Sequence, residues 1–199
     1  QTLRSAMTQT LVYGNGNGHR ELIGEVLSED FPWYCTTCGA CLKKCPTFVN
    51  PIDEIIDLRR YQVLTTGNVQ KSVSDVMRNL ERQGNPWGMP AEDRVAWAEG
   101  LNIRELAPGE ETDVLLFLGC AFAYDDRNKK VAQSFVHILQ KAGVDFATLG
   151  VDETCCGETA RRMGHEYLFQ VFAQQNIETL SKVKFNRIVT QCPHCFNTL

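Results

Sequence analysis

Nine cysteines occur in the 199 residues of the chain, and they fall into short-spaced groups. Residues 35–46 read C-T-T-C-G-A-C-L-K-K-C-P. Two-residue gaps let Cys35, Cys38 and Cys41 wrap three corners of one 4Fe–4S cube from a single loop, with Cys45 following before Pro46. Small residues at Thr37, Gly39 and Ala40 let the backbone come close, so that amide N–H groups bond the cluster sulfurs and moderate its charge. The rival chemistry is a zinc site built from two C-x-x-C pairs. Zinc needs only four ligands and usually separates its pairs by a longer stretch, so three closely spaced thiols followed by C-P argue against it.

The other five cysteines are Cys120, Cys155, Cys156, Cys192 and Cys195. Adjacent cysteines are poor partners for each other in a structural disulfide but can bind neighbouring irons of one cluster. Five thiols also exceed what one zinc ion or one cube requires. An odd cysteine count is awkward for a closed disulfide framework, and Gln1–Leu11 lacks the basic start and apolar core of a signal peptide, so metal binding is the better reading of all nine.

The elements that must position these residues fall into two stretches. Residues 1–30 are poorly patterned, and Gly14-Asn15-Gly16-Asn17-Gly18 reads as a loop, because it lacks the preceding strand and later spacing of a nucleotide fingerprint. Ile52–Val63, Val69–Leu80 and Ala91–Leu101 carry apolar residues at helical spacing, interrupted by the turn-rich Gly84, Pro86, Gly88 and Pro90. Met77, Leu80, Trp87 and Trp97 read as core. Beyond Ala107-Pro108-Gly109 the pattern becomes strand Asp113–Gly119, helix Asn128–Ala142, short strand Asp145–Leu149, helix Tyr167–Val183 and strand Arg187–Gln191. Strands alternating with helices predict an α/β domain with a short parallel sheet and flanking helices. Cys120 follows the first strand, Cys155-Cys156-Gly157 the middle one and Cys192 the last, which gathers them at the carboxyl edge, where such folds place their sites.

Composition sets bounds on function. A net charge of −4 with no basic run gives no reason for nucleic-acid binding. The longest apolar stretch, Val114–Tyr124, is broken by Gly119 and falls short of the roughly 18 residues a membrane span needs.

The first cysteine run resembles that of bacterial ferredoxins, whose fourth cysteine ligates the other of two clusters. Cys45 is therefore expected to serve a second cubane whose remaining ligands come from a run outside this sequence, upstream of Gln1; a single cube held by all four cysteines is the alternative. Cys120, Cys155-Cys156-Gly157 and Cys192-Pro193-His194-Cys195 resemble the CCG domain of heterodisulfide reductases and related iron–sulfur oxidoreductases. This wider family includes iron–sulfur subunits of glycolate, lactate and glycerol-3-phosphate oxidation. Gly84-Asn85-Pro86-Trp87-Gly88 and the E-Y-L-F-Q and A-Q-Q-N-I-E-T-L segments resemble its membrane-associated branch, which links electron-transfer flavoprotein to menaquinone. The resemblance implies that Cys120, Cys155, Cys156, Cys192 and Cys195 hold a noncubane 4Fe–4S cluster.

It also implies an α-helical ferredoxin-like part over residues 1–106 and a first CCG unit over 107–199, with a second unit expected downstream of Leu199. The implied function is electron relay from a flavoprotein donor towards menaquinone. The alternatives are disulfide reduction at the noncubane cluster and a place within one of the dehydrogenases as their iron–sulfur subunit. The implied location is cytoplasmic, attached to the inner membrane face through a further segment or partner. His194, between two of the cysteines, is open to two readings: it shuttles a proton or tunes the cluster, or it only shapes the turn, since no group that orients it is visible. Lys43 and Lys44, and Arg161 and Arg162, either offset cluster charge or are solvated pairs, the latter at a helix start. His137 reads as a core or surface residue, and His19 and His165 as exposed ones.

Overall fold

In the computed structural model, which describes residue 5 and residues 21–199, the chain divides into two compact units. One runs to Lys71 and includes Arg162–Gly164; the other comprises Ser72–Arg161 and His165–Leu199. The Gly14–Gly18 segment and His19 lie outside the described residues.

In the first unit a 3₁₀ turn, Phe31–Tyr34, leads into the cysteine loop and the short helix α1 (Ala40–Lys44). Helix α2 (Pro51–Tyr61) starts where the side chain of Asn50 accepts from the Ile52 N–H and Pro51 removes a donor that would have no partner. It continues as a π turn, Gln62–Thr66, and stops at Gly67 in the left-handed conformation. Ile23 and Leu27 form the small core with Leu22, Val26, Phe31 and Leu58 packed against them. Such a core is slight, and a buried arginine reinforces it. Arg59 donates through Nε and Nη2 to the Pro32 carbonyl and through Nη2 to that of Cys35, and its guanidinium lies 5.1 Å from the Trp33 ring centroid.

The second unit opens within helix α3 (Lys71–Gln83), from Ser72 on, and the Gly84–Pro90 connector is organised by fully buried Asn85. Its amide donates to the Gln83 and Met89 carbonyls and accepts from the Met89 N–H. The stretch predicted as a helix over Ala91–Leu101 is instead a 3₁₀ segment, Ala91–Ala98, started by Pro90 and followed by left-handed Gly100 and Asn102. Trp97 is buried within it, as expected, along with Met77 and Leu80 of α3. Trp87 is not core. It is 45% exposed, because the tight connector holds it at the surface, with its ring 6.4 Å from that of Tyr124.

The sheet follows the expected α/β plan with shorter strands: β1 (Glu111–Leu116), β2 (Phe146–Ala147) and β3 (Lys184–Val189), all parallel, in the order β2-β1-β3. Helices α4 (Cys120–Tyr124) and α5 (Asp126–Lys141) lie between β1 and β2 in the chain. Helices α6 (Glu158–Arg162) and α7 (Glu166–Ser181) lie between β2 and β3, and α8 (Pro193–Thr198) follows β3. Strand alternation sends Leu116 and Leu118 into one core with Trp97, Ala123, Val136 and Phe172. It sends Leu115 and Phe117 into the other with Leu106, Leu149 and Val183. A central strand covered on both faces explains why its sequence reads as an uninterrupted apolar run.

Among the described residues no helix is long and apolar enough to cross a membrane. Substituting Asn85→Ala strands buried backbone groups of the connector, and should cost roughly 2–4 kcal/mol of stability, measured by denaturant unfolding of the wild-type and variant chains.

Candidate functional site

In the first array, the loop turns sharply through left-handed Thr37 (φ 53°) and Gly39 (φ 77°) before α1 begins. Two of the three small residues singled out in the sequence therefore serve a second purpose, bending the chain so that successive cysteines project from a tight loop. Backbone N–H groups already meet sulfur there: Thr37 N lies 3.4 Å from Cys35 Sγ and Val49 N 3.3 Å from Cys45 Sγ. Cys45 Sγ is also 3.3 Å from the Thr47 hydroxyl. Hydrogen bonds hold two thiols below their usual pKa, Cys38 chiefly through the backbone at Ala40 and Cys45 chiefly through Thr47. Cys38 and Cys41 are exposed, and Cys35 and Cys45 half-buried.

The second array is buried. Cys120, Cys155, Cys156, Cys192 and Cys195 are free thiols brought together beyond the carboxyl ends of the strands, where the strand order places β2 and β3 on opposite sides of β1. Their sulfurs influence one another in the order Cys120, Cys155, Cys156, Cys195, Cys192. This mutual contact, together with burial, pushes the Cys155 and Cys195 thiols up. Cys156, beside Cys155 and Cys195, is pushed down to about 3, Cys192, beside Cys195, to about 6, and Cys155 together with Arg94 lowers Cys120. Cys155 packs in one core and Cys156 in the other, so the adjacent pair straddles the sheet edge.

A close approach makes this possible. Gly119 ends the β1 segment at φ 79° and ψ 157°, a region reserved for glycine. A Cβ there would lie 2.8 Å from Cys195 Sγ and 3.4 Å from Cys192 Cβ. Gly157 behaves alike at the other side, with Phe169 and Phe172 against its Cα and its N–H 3.4 Å from Cys155 Sγ. Asn176 of α7 pins the loop by donating to the Cys155 carbonyl at 2.8 Å.

Two charged residues not singled out in the sequence complete the site. Arg94 donates through Nη2 to Cys120 Sγ at 3.2 Å and through Nη1 to Glu153 Oε1 at 3.0 Å. Glu153 also accepts from the Leu118 and Gly119 N–H groups at 2.7 and 2.8 Å. Burial works to lower the Arg94 pKa, but the sulfur and the carboxylate hold it above its ordinary value. Burial pushes Glu153 up against the pull of Arg94 and the two N–H groups. Glu153 stands two residues before Cys155, so a carboxylate beside the cysteine pair was the only available hint. Arg94 is 26 residues from Cys120 and gave none.

Other expectations change. His194 does have an orienting group: its Nδ1 lies 2.9 Å from the carboxylate of Glu158 at the start of α6. His165 is half-buried, not exposed, because it caps α7, accepting from the Leu168 N–H at Nδ1 with Nε2 3.2 Å from Glu81. His137 is on the surface. Arg161 and Arg162 end α6 instead of starting a helix, and Arg161 stacks 5.0 Å from the Phe169 ring centroid.

Among the described residues, no three His, Cys, Asp or Glu side chains are arranged to hold a single metal ion. The second donor set instead fits a group with several metal atoms. It offers five sulfurs, a charged N–H donor at one end, a backbone N–H beside Cys155, and a close approach of Cys195 to the backbone at Gly119.

Residues 114–199 match the family of the CCG cysteine-rich domain. The second array thus lies in a CCG cysteine-rich domain. It is 37% identical over 185 residues to the EtfAB:quinone oxidoreductase of Syntrophomonas wolfei, a match that covers 90% of this chain and 26% of that protein. It is 43% identical over 183 residues to the probable iron-sulfur-binding oxidoreductase FadF of Bacillus subtilis, covering 88% of this chain and 26% of the relative. Over 171 residues it is 28% identical to a component of the dihydromethanophenazine:CoB–CoM heterodisulfide reductase of Methanosarcina barkeri, covering 81% of this chain and 39% of the relative. The chain thus spans well under half the length of these curated relatives. No solved structure is significantly similar.

Gly119→Ala should place a methyl group against Cys195 and strain the backbone by about 1–3 kcal/mol. The expected result is a second unit less stable by that amount, read by denaturant unfolding of the wild-type and variant chains.

Proposed function

We propose that this chain is the iron–sulfur electron-relay part of an oxidoreductase that takes electrons from a flavoprotein, electron-transfer flavoprotein in particular, and passes them towards menaquinone. The observation that carries the reading is the buried run of five thiols at the carboxyl edge of the sheet. Relatives named for quinone reduction with EtfAB and for heterodisulfide reduction support it.

In this reading Cys35, Cys38 and Cys41 hold a cubane 4Fe–4S cluster and Cys45 serves a second cubane. Cys120, Cys155, Cys156, Cys192 and Cys195 hold the noncubane 4Fe–4S cluster of the CCG motif. Bound clusters supply one-electron chemistry that no side chain provides. The chain's own residues do the rest. The first loop offers N–H groups to sulfur and leaves Cys38 and Cys41 at the surface, within reach of a redox partner. The second site surrounds its sulfurs with apolar side chains from both cores, which keeps water out and makes each hydrogen bond to sulfur count for more. His194, oriented by Glu158, stands where a proton can be held beside the cysteines during quinone chemistry. A quinone acceptor resides in the lipid bilayer, so the proposed location is the cytoplasmic face of the membrane.

Disulfide reduction at the second cluster is the second reading, favoured by the relationship to the heterodisulfide reductase component. Turnover separates the two. The relay reading expects reduction of a menaquinone analogue by reduced flavoprotein and none of an organic disulfide; the opposite pattern overturns it.

Metal analysis tests the foundation. Anaerobic protein should contain iron and acid-labile sulfide, and Cys156→Ser should lose the share belonging to the second site while retaining the signal of the first. Zinc without iron or sulfide would sink the proposal.

A further inference from the structure

Arg94 is a buried cation aimed at a sulfur. Its Nη2 is 3.2 Å from Cys120 Sγ, its Nη1 is 3.0 Å from Glu153 Oε1, and its guanidinium carbon lies 5.5 Å from the Tyr124 ring centroid. Glu153 in turn accepts from Leu118 and Gly119, the two residues immediately before Cys120. The guanidinium therefore cannot swing away without leaving a carboxylate that is itself held at the end of β1.

Stability alone does not account for such an arrangement. A buried ion pair is commonly no better for folding than apolar residues of the same volume. A guanidinium with one fork on a carboxylate and the other on a ligand sulfur has an electrostatic consequence instead. It stabilises added negative charge on whatever that sulfur holds, and the dry surroundings keep the effect strong. Hydrogen bonds to cluster sulfurs and net charge are established controls of iron–sulfur reduction potential.

We propose that Arg94, locked in place by Glu153, is a positioning and tuning residue that raises the reduction potential of the cluster held through Cys120. This rests on the reading that the five cysteines bind an iron–sulfur cluster. The first array supplies an internal control, since Arg59 reaches the carbonyl of Cys35 and not its sulfur.

The test is an anaerobic redox titration of the holoprotein, wild type against Arg94→Gln and Arg94→Lys, with iron and sulfide content measured on the same samples. Arg94→Gln should make reduction of the second cluster about tenfold less favourable, equivalent to about 59 mV for one electron, with the first cluster unmoved. Arg94→Lys keeps the charge but not the planar fork, so its potential should fall between the other two. Full iron content with an unchanged potential in Arg94→Gln overturns the proposal, as do equal shifts in both variants, which would assign the effect to packing. If Arg94→Gln loses the cluster, Arg94→Lys decides: a lowered potential with full iron supports the proposal, and an unchanged potential or lost iron overturns it. Wild-type protein without iron and sulfide at the second site would instead remove the underlying function. Clusters present but indifferent to Arg94 would remove this inference alone.

Discussion

The carboxylate of Glu153 accepts three hydrogen bonds in a place that water barely reaches, and much of the second unit is arranged around it. Two of those bonds come from the N–H groups of Leu118 and Gly119, where the chain leaves β1 and has no strand partner to satisfy it. The third comes from Arg94, carried by a 3₁₀ segment far away in sequence. One side chain thus closes the end of the central strand, ties the helical segment before the sheet to it, and turns a guanidinium towards Cys120. Because Glu153 lies two residues before Cys155, the same contact also fixes the loop carrying the adjacent cysteines. Removing one partner of such a pair leaves an uncompensated buried charge, at a cost of about 3–5 kcal/mol.

The sheet supplies the other half of the arrangement. Its central strand is covered on both faces, so residues leaving it at successive positions enter different cores: Leu116 and Leu118 on one side, Leu115 and Phe117 on the other. The adjacent cysteines repeat that division at the sheet edge. Cys155 belongs to one core and Cys156 to the other, while Cys120 approaches from the end of β1 and Cys192 and Cys195 from the end of β3. Sulfurs arriving from three connections converge only if the backbone between them takes no space. Gly119 meets that need, since any side chain there would press against Cys195 Sγ.

What could be read in the sequence follows from which features are local. The α/β plan was legible because apolar runs of strand length alternate with helical periods, and its order alone placed Cys120, Cys155, Cys156 and Cys192 at one sheet edge. Strand ends were not legible. β1 ends at Leu116, its last ladder bond given by the Phe117 N–H to the Val189 carbonyl, although the apolar run continues to Leu118, whose hydrophobicity reflects core packing. The helix expected after Pro90 became a 3₁₀ segment, where Arg94 and Trp97 both turn inward. Trp87 departs from expectation because aromatic size suggests burial, whereas its backbone is held in a connector that leaves it at the surface. Arg94 was invisible for a different reason: an arginine among polar residues looks solvated until the fold reveals its partners, and those lie 26 and 59 positions away.

The two cysteine arrays solve the problem of concentrated sulfur by opposite means. The first remains at the surface and relies on its own loop, with the Thr37 and Val49 N–H groups and the Thr47 hydroxyl on its sulfurs and Arg59 spent on carbonyls that hold the loop in shape. Water is at hand to screen charge there, so no buried cation is required. The second is enclosed by two apolar cores, where screening is weak and charge must be met by a fixed group. It is here that the fold commits an arginine to sulfur and a glutamate to hold the arginine. An exposed array suits exchange with a partner protein, and an enclosed one suits control of an electron's energy once it has entered. Under the proposed relay the contrast is therefore functional: surface cysteines where electrons arrive, and a guanidinium where their destination is set.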